Sequence, residues 1–244
     1  MAKSISKPNN IDSVSKLVDE ITKLELSDYA LFRGQRDDWS LTPKLGRLKM
    51  RIGDLLKNEE NMISDFKRLS KPYLLRIPSN DWEWLSIAQH HGMATRLLDW
   101  TSNPLAALWF AVSQPITHRS GIFWIFDVPD EFVLKANDYE RISPFTQKQT
   151  VVIQPQISTS RISSQNAWFT LHYTKPNKNM LDPLENNATL KPFLKSYKIP
   201  KSAFSEIRFN LDRLGVNRMS LFPDVDGIAN HSEWINSFMD DESM

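Results

Sequence analysis

Two neighbouring segments of the sequence are apolar on every side, and they constrain the fold more than any other feature. Residues 104–112 (PLAALWFAV) follow Asn103, so a capping side chain is followed by proline at the first helical position. The helix that this predicts carries no charged residue and should be buried. Residues 121–126 (GIFWIF) read as a strand with apolar side chains on both faces, which is typical of a central strand. Both segments predict a globular protein with a substantial hydrophobic core.

Glycine is scarce, and its placement excludes two kinds of nucleotide-binding loop. The chain has 7 glycines in 244 residues, and no two have the spacing of G-x-G-x-x-G or of a P-loop. A phosphate site of the Rossmann or P-loop kind is therefore excluded. The absence of cysteine removes disulfides, thiolate metal ligands and cysteine nucleophiles. A net charge of +1 argues against a chain built to coat itself with nucleic acid.

Helical and strand patterns interleave along the chain without a repeat or a linker. This predicts a single α+β domain with a mixed or antiparallel central sheet and a helical N-terminal layer. Residues 1–28 are expected to form a helical lead-in, and residues 232–244 a C-terminal tail. No segment approaches the length of a membrane span, so we expect a cytoplasmic protein without a membrane partner.

The strand predicted at residues 29–32 leads into Arg33, Gly34 and Gln35. An arginine at the end of a buried strand needs an anionic partner, because an unpaired buried guanidinium is costly. The partner is either a carboxylate such as Asp99, in a structural ion pair, or a phosphate or carboxylate of a ligand. Gly34 would allow a ligand to approach the backbone closely.

Polar residues also crowd the turn that follows a predicted helix ending at Gly92. His90 and His91 are adjacent, so on a helix they point about 100° apart and cannot chelate one metal ion. We therefore expect no metal site here. Asp99 lies between two apolar residues, which predicts a buried carboxylate paired with Arg33 or Arg96.

Two further polar stretches lie in the second half of the chain. Gln165 is placed at the start of a strand predicted from residue 167, after a hydroxyl-rich run at residues 158–164 that is typical of a turn. Asp224, Asp226 and Gly227 form a D-x-D-G pattern, which could bind a cation but is more often a turn or a helix cap.

Taken together, these stretches resemble the FRG domain, a bacterial and phage family named for its Phe-Arg-Gly motif. The motifs occur in order: LFRGQ at 31–35, AQHHG at 88–92, TRLLDWT at 95–101, NPLAALWFA at 103–111, RISSQ at 161–165 and LFPDVDG at 221–227. The resemblance implies an FRG domain over residues 29–231.

An aromatic-Arg-Gly sequence at the end of the first strand is also similar to the opening of the ADP-ribosyltransferase fold. There the arginine helps to hold the pyrophosphate and ribose of NAD. The resemblance implies an enzyme that consumes NAD, such as a toxin or a phage-defence effector, and that modifies a macromolecular acceptor, either protein or nucleic acid.

The resemblance also assigns roles to residues. Gln165 would stand where such enzymes have a catalytic glutamate, and because glutamine is neutral the carboxylate could come from Asp99 or Asp226. Trp100 or Trp168 would supply an aromatic wall for nicotinamide. The implied catalytic residues are Arg33, Gln165 and Asp99. The implied NAD-binding residues are Arg33, Gly34, Gln35, His90, His91, Thr95, Arg96, Trp100, Thr101 and Asn103.

Two alternatives stay open at this point. The chain could be a non-catalytic module whose Arg33–Asp99 pair shapes a pocket for a ligand or a regulatory partner. It could also be a metal-dependent nuclease that uses Asp99, Asp224 and Asp226. Convergence of Arg33, the turn at residues 90–99 and Gln165 on one cleft would favour the NAD-consuming enzyme or the binding module.

Overall fold

Six strands form one sheet, and every pairing within it is antiparallel. The computed structural model describes residues 10–51, 53–115, 120–155, 164–174 and 180–242. The strand order is β4-β5-β2-β1-β3-β6. The strands are β1 (Ala30–Gln35), β2 (Leu97–Thr101), β3 (Ser120–Asp127), β4 (Val151–Ile153), β5 (Ala167–Leu171) and β6 (Leu194–Pro200).

Seven α-helices surround the sheet in the described part of the chain, so the prediction of an α+β fold is confirmed. Short polar residues cap several of them, as the chemistry of helix N-termini favours; Asn103 accepts hydrogen bonds from the amides of Leu105 (3.0 Å) and Ala106 (3.3 Å). The helices are α1 (Val14–Thr22), α2 (Leu55–Ser70), α3 (Asp81–His90), α4 (Pro104–Val112), α5 (Phe204–Arg213), α6 (Arg218–Leu221) and α7 (Val225–Ile235).

The two all-apolar segments form the centre of the molecule, as predicted. β3 lies between β1 and β6, and six of the nine residues of α4 are buried. A Cβ atom added to Gly34 would lie 1.8 Å from the backbone oxygen of Ala107, so α4 packs directly against β1 there. The close approach predicted at Gly34 is therefore real. It is made by a helix of the protein itself, so packing accounts for this glycine, and a role of Gly34 toward a ligand stays a prediction.

Both ends of the described chain are tied to this core. Ile11 is fully buried and donates its N–H to the carbonyl of Lys198 at 2.9 Å, and α1 packs beside α5 through Leu17. At the other end Asp241 and Glu242 pair with the buried Arg208 of α5. The boundary predicted at residue 231 thus falls inside α7, and the last described residues are anchored by ion pairs.

The sheet is split between its two central strands. β1 pairs with β3 at six positions but with β2 at one only, Phe32 with Thr101. From Arg33 to Gln35 the edge of β1 diverges from β2, so backbone groups of both strands face the gap. This divergence creates the space in which the candidate site lies.

None of the helices in the described ranges is both long enough and apolar enough to cross a membrane.

Candidate functional site

A cavity of about 480 Å³ opens at the split between β1 and β2. Eight of the residues predicted for the site line it: Arg33, Gly34, Gln35, His90, Asp99, Trp100, Thr101 and Gln165. The convergence that would favour the NAD-consuming enzyme or the binding module is therefore present. The other lining residues are Phe32, Arg36, Trp39, Gln89, Ala107, Phe110, Ser113, Gln114, Ala167, Phe169 and Phe222.

Arg33 bridges the split with its side chain. Its Nη1 donates to the backbone oxygen of Asp99 at 2.6 Å and lies 3.8 Å from the Asp99 carboxylate. The Nε of Arg33 is buried and forms no hydrogen bond with any described residue. Burial lowers the pKa of Arg33, and the nearby Asp99 carboxylate opposes that shift. Because β1 continues to Gln35, Arg33 lies within the strand and not at its end.

Asp99 differs from the prediction, since its side chain is 66% exposed. Strand alternation explains the error: Leu98 and Trp100 point into the core, whereas Asp99 points to the opposite face of β2, at the mouth of the cavity. The prediction of a buried carboxylate is therefore wrong. The predicted partner Arg33 is present, at the edge of ion-pair distance.

Asp99 is held in place by a short chain of hydrogen bonds. The amide of Gln89 donates to Asp99 Oδ1 at 2.8 Å, and the hydroxyl of the fully buried Thr95 donates to the Gln89 amide oxygen. Thr95 does not itself line the cavity but acts through Gln89. Sequence reasoning missed Gln89, although it lies in the AQHHG stretch at the end of α3.

Gln165 lies in the turn that precedes β5, on the far wall of the cavity. Its backbone oxygen accepts the hydroxyl of Thr101 at 2.6 Å, and its side-chain Nε2 donates to the carbonyl of Leu221 at 3.1 Å. Thr101 also accepts the N–H of Asn103 at 2.9 Å. These bonds join the end of β2, the start of α4 and the start of β5 around the cavity.

Arg96 is placed elsewhere, in the interior beneath α2. It is 1% exposed, and its Nε lies 2.5 Å from Oε2 of the fully buried Glu59. Its backbone N–H donates to the same carboxylate at 2.7 Å, and its Nη2 donates to the carbonyl of Pro144 at 3.2 Å. This is a structural ion pair, and Arg96 does not line the cavity. His91 also lies outside the lining, exposed at the end of α3.

The two tryptophans considered for an aromatic wall belong mainly to the core. The ring of Trp100 packs against Phe126, and its indole N–H donates to Thr170 at 3.1 Å. Trp168 packs edge-on against Tyr29. Trp100 also lines the cavity, whereas Trp168 does not; the other aromatic lining residues are ones that sequence reasoning missed: Phe32, Trp39, Phe110, Phe169 and Phe222.

A second arginine, also missed, lines the cavity next to the first. The Nε of Arg36 is buried without a hydrogen bond to any described residue, and its guanidinium carbon lies 5.8 Å from the ring centroid of Trp39. The signal was present in the sequence, because Arg36 and Trp39 directly follow the LFRGQ motif. Asp99 is the only carboxylate among the described lining residues, so the cavity suits an anion that carries a planar ring.

The D-x-D-G pattern forms a helix cap, as the sequence favoured. Asp224 precedes α7 and accepts the N–H of Gly227 at 2.7 Å, whereas Asp226 is exposed. Over the described ranges, no three His, Asp or Glu side chains are arranged to hold a metal ion. The predicted hydroxyl-rich turn, apart from Ser164, lies outside the described residues, as does Arg161.

Residues 28–120 match a family model described as the FRG domain. The matched segment runs from the start of β1 to the start of β3 and includes Arg33, Gln89 and Asp99, but not Gln165. No curated protein and no solved structure matches the chain.

Proposed function

We propose, from the premise that residues 28–120 belong to the FRG domain family, that the cavity between β1 and β2 binds NAD. We further propose that the protein transfers ADP-ribose from it to a macromolecular acceptor. The match covers one side of the cavity, and Gln165 extends the site beyond it. Such an enzyme would act in the cytoplasm as a toxin or a phage-defence effector.

The observation that carries the proposal is a pair of arginines that line the cavity and each keep one unsatisfied N–H, at Nε. Arg33 and Arg36 each have a buried Nε without a hydrogen-bond acceptor among the described residues. An unsatisfied buried donor costs about 1–3 kcal/mol, so a folded protein rarely keeps two of them beside one cavity without use. Both guanidinium groups line the cavity, where the pyrophosphate of NAD would supply charged acceptors, and this supports an anion site.

The remaining lining residues fit the other parts of NAD. Phe110, Phe169 and Phe222 offer apolar surfaces on which a nicotinamide or adenine ring can pack. The amide oxygen of Gln165 can accept a hydrogen bond from a ribose hydroxyl, since its Nε2 is already bonded to Leu221. A volume of about 480 Å³ lies within the range of small-molecule sites.

The transfer step needs one bond to break and one to form. The C1′–N bond of the nicotinamide ribose breaks, and its electron pair leaves with nicotinamide. A nucleophile of the acceptor forms a bond to C1′ and loses a proton. Asp99 would take that proton, and this role is supported by its exposed carboxylate at the mouth of the cavity and by its hydrogen bond from Gln89.

A second candidate function is binding of the same ligand without turnover. It is favoured by the neutral Gln165, which cannot offset positive charge on the ribose, and by Asp99 being the only carboxylate among the described lining residues. The two functions share the binding step and differ only in the release of nicotinamide.

Titration calorimetry with NAD tests the binding step. We expect Arg33→Met and Arg36→Met each to weaken binding about 10–100-fold, the loss expected for one charge-assisted hydrogen bond. Arg68→Met is the matched control, because Arg68 is exposed on α2 and pairs with Asp65 of the same helix. Absence of NAD binding to the wild type would overturn the proposal, as would equal weakening in the control.

Chromatographic detection of free nicotinamide separates the two functions. An enzyme releases nicotinamide when a protein extract or nucleic acid is added as acceptor, and Asp99→Asn abolishes that release while NAD still binds. Tight binding with no nicotinamide above the uncatalysed background would instead establish the binding module. Gln165→Glu then provides a gain-of-function check, since it restores the carboxylate that the resemblance implies at this place.

A further inference from the structure

The C-terminal helices differ in charge from the rest of the chain. Residues 204–242 contain three arginines and eight carboxylates, a net charge of −5, although the whole chain carries +1. Two of the carboxylates, those of Asp241 and Glu242, form ion pairs with the buried Arg208. Others, including Asp226 and Glu233 of α7, are exposed. This part of the surface is therefore acidic.

The outer side of α7 carries a row of exposed apolar residues. Val225, Ile228 and Ile235 are 80%, 50% and 58% exposed, and their spacing places them on one face of the helix. The opposite face is turned to the protein: Gly227 is buried, and the indole N–H of Trp234 donates to Glu242 at 3.0 Å. We name the row of Val225, Ile228 and Ile235 the α7 stripe.

The α7 stripe begins beside the candidate site. Phe222, three residues before Val225, lines the cavity, and the carbonyl of Leu221 accepts the side chain of Gln165. Arg218, one helical turn before Phe222, lies over the Phe222 ring at 4.1 Å. A molecule that lies along α7 would therefore have one end next to the cavity.

We propose that the α7 stripe docks a basic, amphipathic segment of a protein, and that this protein is the acceptor of the ADP-ribose. Apolar side chains of that segment cover the stripe, and its lysine or arginine residues face Asp226 and Glu233. The docking itself needs only the α7 surface; its role in presenting an acceptor rests on the proposed function.

The charge of this surface decides between the possible occupants. A nucleic acid or an anionic membrane would meet a surface of its own sign. A second copy of this chain, related by a two-fold axis, would bring two acidic faces together. A basic protein segment is the occupant whose charge is complementary and whose apolar side chains can cover the stripe.

A second exposed apolar patch on the molecule serves as an internal control. Leu69, in the last turn of α2, and Tyr73 and Leu75, which follow that helix, are 58%, 86% and 109% exposed. Arg68, Lys71 and Arg76 are adjacent to them in sequence, so this patch has cationic neighbours. The two patches thus offer similar apolar side chains with opposite flanking charge.

Fluorescence anisotropy with designed peptides tests the docking without NAD. The probe is a labelled 18-residue amphipathic peptide with a leucine face and lysines on its flanks. The control peptide has glutamate in place of each lysine. We expect the lysine peptide to bind the full chain. Its affinity should fall at least 10-fold for the double variant Ile228→Ser/Ile235→Ser. Tyr73→Ser/Leu75→Ser should leave its affinity unchanged. Binding should also weaken as salt rises, because charges at the interface are exposed.

Several outcomes would overturn the inference. One is equal binding of the lysine and glutamate peptides, and another is an unchanged affinity in Ile228→Ser/Ile235→Ser. A dimer of the wild type that this variant abolishes would assign the stripe to a second copy of the chain. Labelling of an RNA or DNA oligonucleotide from NAD, undiminished in the variant, would reject a protein acceptor. Peptide binding with no NAD binding would keep the docking surface and reject the transfer.

Discussion

Two arginine–carboxylate pairs, each with one member in the TRLLDWT segment at residues 95–101, have opposite characters. Arg96 and Glu59 are 1% and 0% exposed, and the carboxylate also accepts a backbone N–H. Arg33 and Asp99 are 20% and 66% exposed; their side chains approach only to 3.8 Å, and the Nε of Arg33 has no acceptor among the described residues. The Arg96–Glu59 pair is surrounded by partners, whereas Arg33 lines a cavity and keeps one N–H without an acceptor among the described residues.

The difference follows from where each arginine lies in the sheet. Arg96 precedes β2 on the side covered by α2, so its charge is surrounded by protein and needs a complete set of partners. Arg33 stands where β1 and β2 separate, and its side chain spans a gap that no strand fills. The gap beside this pair leaves room for a ligand, as is expected of a binding site.

The largest predicted loss of stability comes from breaking the buried Arg96–Glu59 pair. Glu59→Gln keeps the size of the side chain but leaves the Arg96 guanidinium buried without a compensating charge. We expect a loss of about 3–5 kcal/mol in the free energy of unfolding, measured by urea denaturation. Asp99→Asn is the matched control and should cost less than about 1 kcal/mol, because its carboxylate is mostly solvated. Similar losses in both variants would remove the distinction between the pairs.

Local patterns in the sequence predicted the centre of the fold. The capped apolar helix α4, the interior strand β3 and the Asp224 cap each depend on residues within one short segment, and each is confirmed. The stretches that form the cavity were also identified, because polar residues stood out against apolar surroundings. Local chemistry was sufficient wherever the partner lies close in sequence.

The features that the sequence did not predict depend on contacts between distant segments, which a single sequence does not specify. Glu59, the partner of Arg96, lies 37 residues away, on α2. The exposure of Asp99 depends on which face of β2 is covered, and two apolar neighbours report only on the opposite face. Gly34 indicated a close approach, but only the packing shows that α4 makes it. In each case the residue was identified, but the packing around it was not.

The second prediction concerns His172, a buried group influenced by both arginines. Its ring is 2% exposed, and burial, together with the charges of Arg33 and Arg96, lowers its pKa to about 4. With its proton on Nδ1, the neutral ring can donate to the Asp182 carbonyl at 3.4 Å and accept from Thr170 at 3.2 Å. The neutral form is therefore the one that the fold accommodates.

The sign of the pH dependence follows from that shift. Above about pH 6.5 the ring is neutral in both the folded and unfolded states, so its contribution to stability is complete. As the pH falls from about 6.5 to 4, only the unfolded state takes up the proton, and about 3 kcal/mol is lost. The free energies of unfolding of wild type and His172→Gln, measured by denaturation across this pH range, should converge as the pH falls. A constant difference between them would contradict the prediction.

Arg33→Met is expected to have the smallest effect on stability. It tests whether the Arg33–Asp99 pair differs in character from the Arg96–Glu59 pair. Removing the guanidinium loses one charged hydrogen bond to the Asp99 carbonyl, worth about 1.5–3 kcal/mol, and removes one unsatisfied buried N–H, which costs about 1–3 kcal/mol. The two nearly cancel, so the free energy of unfolding should change by less than about 1 kcal/mol. Arg96→Met should instead lose about 3–5 kcal/mol, because it strands the Glu59 carboxylate. Denaturation of the two variants side by side checks this. A large loss in Arg33→Met would mean that Arg33 is structural like Arg96, and the argument for an anion-binding cavity would then lose its main support.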